Sequence, residues 1–220
     1  MNKVSIQLGI LFFSLSLFTS CISGKYAVVE IATDYGNMTV TLQEESKALN
    51  DHFLQNVRDG KYDSTLFHRS IKGLVLQGGD PSSKGMAQGE VVEASIYDTL
   101  YPAISNSYIH KKGAFALANI DRDSSNAING PQFYIVDGKP ISGTELNLIE
   151  SGLKRQFTED ERKAYSELGG LPHLDGKFTV LGVVTKGLDV MEKIQAIQTD
   201  VNDRPIEDVY MSISITSEPK

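Results

Sequence analysis

The chain has one cysteine and fewer basic than acidic residues, and each shortage excludes a class of protein. A single cysteine among 220 residues cannot form an internal disulfide bond. With 21 Lys and Arg against 28 Asp and Glu, the formal net charge is −7, and no basic run is longer than Lys111–Lys112 or Lys154–Arg155. A nucleic-acid partner is therefore not expected. The remaining composition, 40% hydrophobic and 22% charged, is that of one globular domain with a sizeable core.

The sequence also lacks the motifs of several common reactions. It contains no Gly-x-Ser-x-Gly elbow, no Walker loop, no dinucleotide-binding fingerprint and no histidine pair at the spacing of helical metal ligands. Its four histidines are scattered along the chain, at His52, His68, His110 and His173. We therefore expect neither a metal nor any other cofactor.

The amino-terminal segment has the pattern of a secretory signal. Lys3 is followed by no charged residue until Lys25, and residues 10–18 form an apolar run. This run contains serines and is shorter than the roughly 20 residues of a membrane span, which disfavours a transmembrane helix. The segment Leu17–Cys21 resembles a bacterial lipobox, where a peptidase cuts before the cysteine and lipid is attached to it.

We thus predict a signal peptide over 1–20 and a lipidated tether over 21–25, attached through Cys21. The protein would then lie in the cell envelope, anchored to the membrane and facing the periplasm or the exterior. Two alternatives stay open, a plainly cleaved signal with an incidental cysteine and a transmembrane helix.

The rest of the chain alternates between apolar and polar residues as half-buried strands do. Met38, Val40 and Leu42 alternate with polar residues, and the same alternation returns over Val209–Ile215. A chain that begins and ends in strands can close its sheet and so remove both edges. We expect one domain over 26–217.

Two apolar stripes at helical spacing interrupt the strands. The first would be capped by Ser46 and ended by Gly60, and its stripe consists of Leu49, Phe53, Leu54 and Val57. The second stripe consists of Leu188, Met191, Ile194 and Ile197. Both are explained by core packing.

Residues 143–170 are rich in Glu, Lys and Leu and predict two further short helices. Thr144 can cap a helix that ends at Gly152, and Thr158 has capping-box spacing to Glu161. We interpret this segment as a helical insertion that docks on the surface and could be shortened at little cost to the fold.

Dense clusters of glycine and polar residues occupy several predicted strands, over 67–81, 113–119, 129–135 and 174–182. Arg69, Gln77 and Gln132 stand there among residues suited to a barrel wall, where buried polar groups need partners. One such cluster would be explained by structural hydrogen bonds. Several such clusters in succession favour a functional site.

These clusters resemble the cyclophilin-type peptidyl-prolyl cis-trans isomerases, in which the same blocks occur in the same order, and the resemblance extends over about Val28–Ile215. It implies an all-β fold, a closed eight-stranded antiparallel barrel with a helix over each end, to which the helical insertion is added. The implied activity is the isomerisation of X–Pro bonds without a cofactor. The implied partners are proline-containing unfolded or partly folded polypeptides, and the implied protein is a monomer.

The resemblance also implies the site residues. Arg69 takes the place of the catalytic arginine and Gln77 that of the polar residue beside it, while Gln132 matches a glutamine that helps to orient the arginine. The other positions match the substrate-binding strand and the walls of the proline pocket, and they are Leu74, Val75, Ala118, Asn119, Tyr134, His173, Leu174 and Phe178.

Several of these positions depart from the family's pattern. Leu74 and Val75 replace the usual Phe-Met pair, Tyr134 replaces a Phe, His173 stands where many members have Trp, and Phe178 replaces a His. Leu and Val keep the pocket apolar but offer less area and no ring face to a proline.

Two functions stay open on this basis. One is a lipid-anchored isomerase that assists the folding of extracytoplasmic proteins. The other is a non-catalytic chaperone or assembly factor that binds proline-containing segments on the same fold. A small-molecule carrier is disfavoured, because the barrel interior of the family is packed.

Overall fold

A computed structural model describes residues 25–44, 47–92, 99–100, 108–118 and 128–219. The predicted signal peptide, Cys21, Ser46 and Asn119 lie outside the described residues.

The described residues form eleven strands and four α-helices, besides two short 3₁₀ helices at Pro81–Ser83 and Pro172–Leu174. The strands are β1 (Val28–Thr33), β2 (Gly36–Leu42), β3 (Thr65–Leu66), β4 (Arg69–Ile71), β5 (Val75–Gly78), β6 (Thr99–Leu100), β7 (Ala114–Leu117), β8 (Ile128–Asn129), β9 (Phe133–Val136), β10 (Val180–Lys186) and β11 (Tyr210–Ser217). The helices are α1 (Lys47–Arg58), α2 (Gly143–Leu153), α3 (Glu159–Glu167) and α4 (Leu188–Ile194).

Nine of these strands form one curled antiparallel sheet in the order β3-β11-β1-β2-β10-β7-β9-β5-β4, and β6 pairs with β8 separately. The predicted all-β class is confirmed, but the predicted closed barrel of eight strands is wrong. The sheet is an open half-barrel whose edge strands, β3 and β4, each pair on one side only.

The short segment between the two edge strands explains why the sheet does not close through a ladder. Only Phe67 and His68 separate β3 from β4. The backbone N–H of Phe67 donates to Val209 in front of β11, at 2.9 Å, whereas that of Ser70 donates to the carbonyl of Asp203, at 2.8 Å. The two edge strands are thus connected through Phe67 and His68, and β4 is hydrogen-bonded to the loop before β11.

Alternation along the strands places one face of the sheet in the core, as the sequence predicted. In the β1–β2 pair, Val29 faces Val40 and Ile31 faces Met38, and all four side chains are buried. The space inside the curl is filled by aromatic rings, of which Phe115 and Phe133 lie 4.7 Å apart between centroids. Burial of each such side chain contributes about 1.5–3 kcal/mol to folding.

The two predicted helical stripes are confirmed. Helix α1 packs against β11 with its stripe buried, and Gly60 follows it in the left-handed region at φ 64°. Helix α4 packs against β2 and buries Met191 and Ile194, while Ile197 lies beyond its end.

Helices α2 and α3 occupy the segment interpreted as an insertion. Helix α3 begins after Thr158 with the capping box to Glu161 that the spacing predicted. Helix α2 begins after Ser142 rather than at Thr144, because Ser142 has a glutamate three residues later to complete a capping box. The two helices share a small core of their own around Leu146, Phe157 and Tyr165.

Candidate active site

A cavity of about 240 Å³ opens on the side of the sheet away from the main core. The residues that line it come from β4, β5 and β9, from the end of β7 and from the segment before β10. They are Arg69, Leu74, Val75, Gln77, Ala118, Tyr134, Leu171, His173, Leu174 and Phe178. Every one of them except Leu171 was named from the sequence. Of the other named positions, Gln132 lies behind the lining and Asn119 falls outside the described residues.

The register of the sheet explains why these residues meet. Arg69 on β4 faces Gln77 on β5, Gln77 faces Tyr134 on β9, and Tyr134 faces Ala116 on β7. Directly opposed residues point to the same face of a sheet. The guanidinium, the amide and the phenol are therefore presented in one row across three strands.

A chain of buried polar groups holds Gln77 from behind. Its Nε2 donates to Oε1 of Gln132 at 2.9 Å, and Nε2 of Gln132 donates to Oδ2 of Asp80 at 2.5 Å. Asp80 is fully buried, and its Oδ1 accepts from the backbone N–H of Ser82 at 2.8 Å. Among the contacts of the described residues, Gln132 thus touches Gln77 and not Arg69.

Arg69 is held more loosely, by a residue that the sequence did not single out. Its Nε lies 3.5 Å from Oδ2 of Asp203, and both side chains are more than 40% exposed, at 42% and 46%. The backbone of Asp203 is in the left-handed region, at φ 62°, and its carbonyl accepts the hydrogen bond from Ser70 of β4. An exposed pair of this kind contributes about 0–1 kcal/mol, so the guanidinium can turn toward a ligand.

A second buried network stands behind Tyr134. Its hydroxyl lies 3.0 Å from Nε2 of His110, and Nδ1 of His110 lies 2.9 Å from Oδ1 of Asp175. Oδ2 of Asp175 accepts from the hydroxyl of Tyr165 at 2.7 Å and from Nη1 of Arg155 at 3.1 Å. Burial raises the pKa of Tyr134, which therefore stays protonated and able to donate.

The remaining walls are apolar or uncharged. The ring of Phe178 stands edge-on to that of Tyr134, with centroids 6.2 Å apart and an interplanar angle of 85°. Partial burial lowers the pKa of His173, and nearby Lys177 adds to the effect, so this imidazole is neutral at neutral pH. Leu171 and Val75 complete the apolar surface.

Sequence reasoning missed Leu171, Asp203, His110 and Asp175. Leu171 was within reach, because it is an apolar residue next to the named pair His173 and Leu174. The others belong to loops whose neighbours come from distant parts of the chain. Nothing in their local pattern distinguishes them.

Two features are absent from the described ranges. Between residues 25 and 219, leaving aside the gaps in the description, no three His, Cys, Asp or Glu side chains are grouped as metal ligands would be. In the same part of the chain, none of the helices has the length and hydropathy needed to cross a membrane.

The sequence matches a family model over residues 28–215, and that model is described as cyclophilin type peptidyl-prolyl cis-trans isomerase. A relative from Staphylococcus haemolyticus, named "Putative peptidyl-prolyl cis-trans isomerase", is 32% identical over 194 residues, which cover 87% of this chain and 91% of the relative. A relative from Streptococcus pyogenes, named as a bifunctional phosphatase and peptidyl-prolyl cis-trans isomerase, is 34% identical over 190 residues. That match covers 83% of this chain but only 37% of the relative.

Solved structures agree in fold. A crystal structure of a cyclophilin type peptidyl-prolyl cis-trans isomerase from Cryptosporidium parvum matches 88% of this chain and 99% of its own, with a TM-score of 0.59 at 23% identity. A second structure of that protein, determined in the presence of the dipeptide Ala-Pro, matches with a TM-score of 0.57 at 23% identity, over 87% of this chain and 99% of its own.

Proposed function

The chain belongs to the family of cyclophilin-type peptidyl-prolyl cis-trans isomerases, and we propose that it accelerates rotation about X–Pro bonds with Arg69 as the catalytic residue. The observation that carries the proposal is the cross-strand row of Arg69, Gln77 and Tyr134 at the mouth of an apolar cavity. This row places a hydrogen-bond donor beside a surface suited to a proline ring.

The chemistry requires a donor and a dry surface but no cofactor. Amide resonance opposes rotation of the C–N bond with a barrier of about 18–20 kcal/mol. A donor that hydrogen-bonds the prolyl nitrogen as it pyramidalises localises the lone pair and weakens this resonance. The guanidinium of Arg69 can supply that bond, and the apolar walls exclude water that would compete for it.

The loose hold on Arg69 and the firm hold on Gln77 fit this division of roles. The amide of Gln77 is fixed by Gln132 and, through it, by buried Asp80. A fixed amide beside the guanidinium gives the twisted substrate a rigid polar partner. The weak pair with Asp203 keeps Arg69 near the cavity and yields when a substrate binds.

Leu74 and Val75 favour the second candidate function, a binding module without useful turnover. They give the cavity a smaller apolar surface than the Phe-Met pair usual in the family would. Tyr134 and Phe178 offset this loss, because their perpendicular rings supply an aromatic corner to the same cavity. The isomerase is therefore the function that the geometry supports best.

We further propose that the protein acts on proline-containing polypeptides outside the cytoplasm, tethered by lipid on Cys21. This part rests on the amino-terminal pattern alone, in which an uncharged apolar run ends at the single cysteine.

Exchange NMR on a short X–Pro peptide tests the isomerase against the binding module. Arg69→Ala should slow exchange by about 10²-fold and change peptide affinity only a few-fold, since the lost bond forms mainly in the transition state. Arg69→Lys should recover only part of the rate, because an ammonium lacks the planar fork.

The matched control is Arg58→Ala on α1, which removes an arginine of similar exposure that is also paired with a carboxylate, that of Glu218. Its exchange rate should equal that of the wild type. If wild type and Arg69→Ala bind the peptide and exchange it at the same slow rate, the binding module replaces the isomerase.

A further inference from the structure

The 143–170 insertion reaches the cavity wall through four side chains that form an unbroken chain of hydrogen bonds. Tyr165 of α3 contacts Asp175, Asp175 contacts His110, and His110 contacts Tyr134. Tyr165 and His110 are fully buried, and the side chain of Asp175 is 1% exposed. Tyr134 is the member that lines the cavity.

The donors and acceptors along this chain fit one arrangement. Oδ1 of Asp175 accepts from the backbone N–H of His110, at 2.9 Å, and lies equally close to Nδ1 of the same residue. A carboxylate there selects the tautomer with the proton on Nδ1, which leaves Nε2 as an acceptor. The hydroxyl of Tyr134 then donates to Nε2, so that its direction is set by the imidazole.

The insertion supplies half of the donors that satisfy the buried carboxylate. Among the described residues, four donors are seen on Asp175, two from His110 and one each from Tyr165 and Arg155. Arg155 is itself held by Glu161 of α3, at 2.5 Å. A buried carboxylate keeps its place only when its oxygens are hydrogen-bonded, and the insertion therefore helps to decide where His110 stands.

We propose that the insertion is a positioning element for substrate binding, acting through Asp175 and His110 on the ring of Tyr134. Tyr134 is the specificity-determining residue of this set, and Tyr165, Asp175 and His110 are positioning residues. The ring held in this way stands edge-on to Phe178 and forms the aromatic corner of the cavity. The inference rests on the proposed isomerase, since it concerns the same cavity.

A pre-positioned ring binds substrate without a further ordering cost, whereas a released ring must be immobilised by each substrate. The Michaelis constant should therefore respond while the chemical step should not. Tyr165→Phe should raise KM for an X–Pro peptide by about 3- to 10-fold and keep kcat within about two-fold of wild type. Tyr134→Phe, which deletes only the last bond, should raise KM by a similar factor.

The double variant shows whether the effect passes through Tyr134. If it does, Tyr165→Phe adds nothing to KM once the hydroxyl of Tyr134 is gone. The matched control is Tyr62→Phe, another fully buried tyrosine, which donates its hydroxyl to the carbonyl of Pro131 at 3.0 Å. It should lower the unfolding midpoint and leave KM unchanged.

Three results would overturn the proposal. KM would be unchanged in Tyr134→Phe, or unchanged in a folded Tyr165→Phe, or the two increases would multiply in the double variant. Should Tyr165→Phe fail to fold, Tyr134→Phe alone decides the matter. A failure of the proposed isomerase is recognised separately, because the wild type would then bind the peptide without exchanging it. In that case the wild type and the variants are compared by the Kd of the peptide instead of by KM.

Discussion

Individual polar residues of the site differ in how firmly the fold holds them. Gln132 and Asp80 are buried and hydrogen-bonded on both sides, and replacement of either would leave one buried polar atom of the other, Nε2 of Gln132 or Oδ2 of Asp80, without this bond. The guanidinium of Arg69 has, within the described part of the chain, one weak and exposed ion pair. Gln132 and Asp80 thus form a rigid frame, whereas the guanidinium of Arg69 can move with the substrate.

His68 carries a predicted pH dependence of stability. Burial lowers its pKa to about 4, an effect that nearby Asp80 only partly opposes, and its Nδ1 has no hydrogen-bond partner among the described residues. An unfolded histidine titrates near pH 6.5, so the folded state favours the neutral form. This contribution is complete above about pH 6.5 and is lost as the pH falls toward 4, by about 3 kcal/mol.

Urea unfolding at several pH values between 7 and 4 measures this loss. Acid also protonates carboxylates, so the relevant quantity is the difference between wild type and His68→Phe, which cannot titrate. The variant should lose less free energy of unfolding over the same range. Parallel curves for the two proteins would exclude His68 as the source.

Among the elements, strand register and the anchoring of α2 and α3 control the cavity. A slip of one residue in β5 would turn Gln77 to the other face and separate it from Arg69 and Tyr134. The insertion is tied in through Tyr165 and Arg155. Its shortening therefore removes two donors from a buried carboxylate and costs more than the sequence suggested.

Gly170, at the end of the insertion, is expected to be intolerant of a side chain. A Cβ atom there would overlap the carbonyl oxygen of His110 and lie 2.6 Å from Cε1 of Tyr165, and its φ is 155°. Gly170→Ala should lower the free energy of unfolding by on the order of 3 kcal/mol through strain and overpacking. It should also raise KM, since it displaces both His110 and Tyr165.

Gly152, in the last turn of α2, provides the matched control, because a Cβ there meets no atom within 4 Å. Gly152→Ala should stabilise the protein by about 0.5–1 kcal/mol. Thermal and urea unfolding of both variants check the pair. Equal free energies of unfolding for the two alanine variants would contradict this prediction, because the structure around Gly170 would then accommodate a side chain without strain.

The molecule as a whole is a curled sheet with its core on one side and its site on the other. The aromatic core around Phe115 and Phe133 supports β7 and β9 from within, while Tyr134 of β9 and Ala118, which directly follows β7, face the cavity. Folding and binding thus use opposite faces of one sheet. The proposed lipid tether precedes the first described strand and would hold the domain at the membrane.

Fractionation of cells tests the tether. Cys21→Ser in the full chain should remove the lipid attachment and move the protein from the membrane to the soluble fraction. Ser23→Ala is the control and should stay with the membrane, since it keeps the cysteine. Recovery of Cys21→Ser in membranes at the wild-type level would favour a transmembrane helix instead.

Local patterns in the sequence were sufficient for β1, β2 and β11, the two packed helices and the Thr158 capping box. Each of these depends on residues two to four positions apart, as in the alternation of Met38, Val40 and Leu42. The family resemblance named nearly all the residues that line the cavity, because specific blocks such as Phe67–Asp80 carry them. The roles assigned to these residues, and those of Cys21 and Asn119, stay predictions.

The tertiary structure was needed for every relation between distant segments. His110 and Asp175 are 65 residues apart, and Arg69 finds Asp203 across most of the chain. The open nine-stranded sheet likewise depends on distant partners, because the backbone N–H of Phe67 donates to Val209 whereas that of Ser70 donates to Asp203. Hydrogen bonds of this kind depend on distance in space, and residues far apart in sequence carry no local signal of the partner that folding will bring to them.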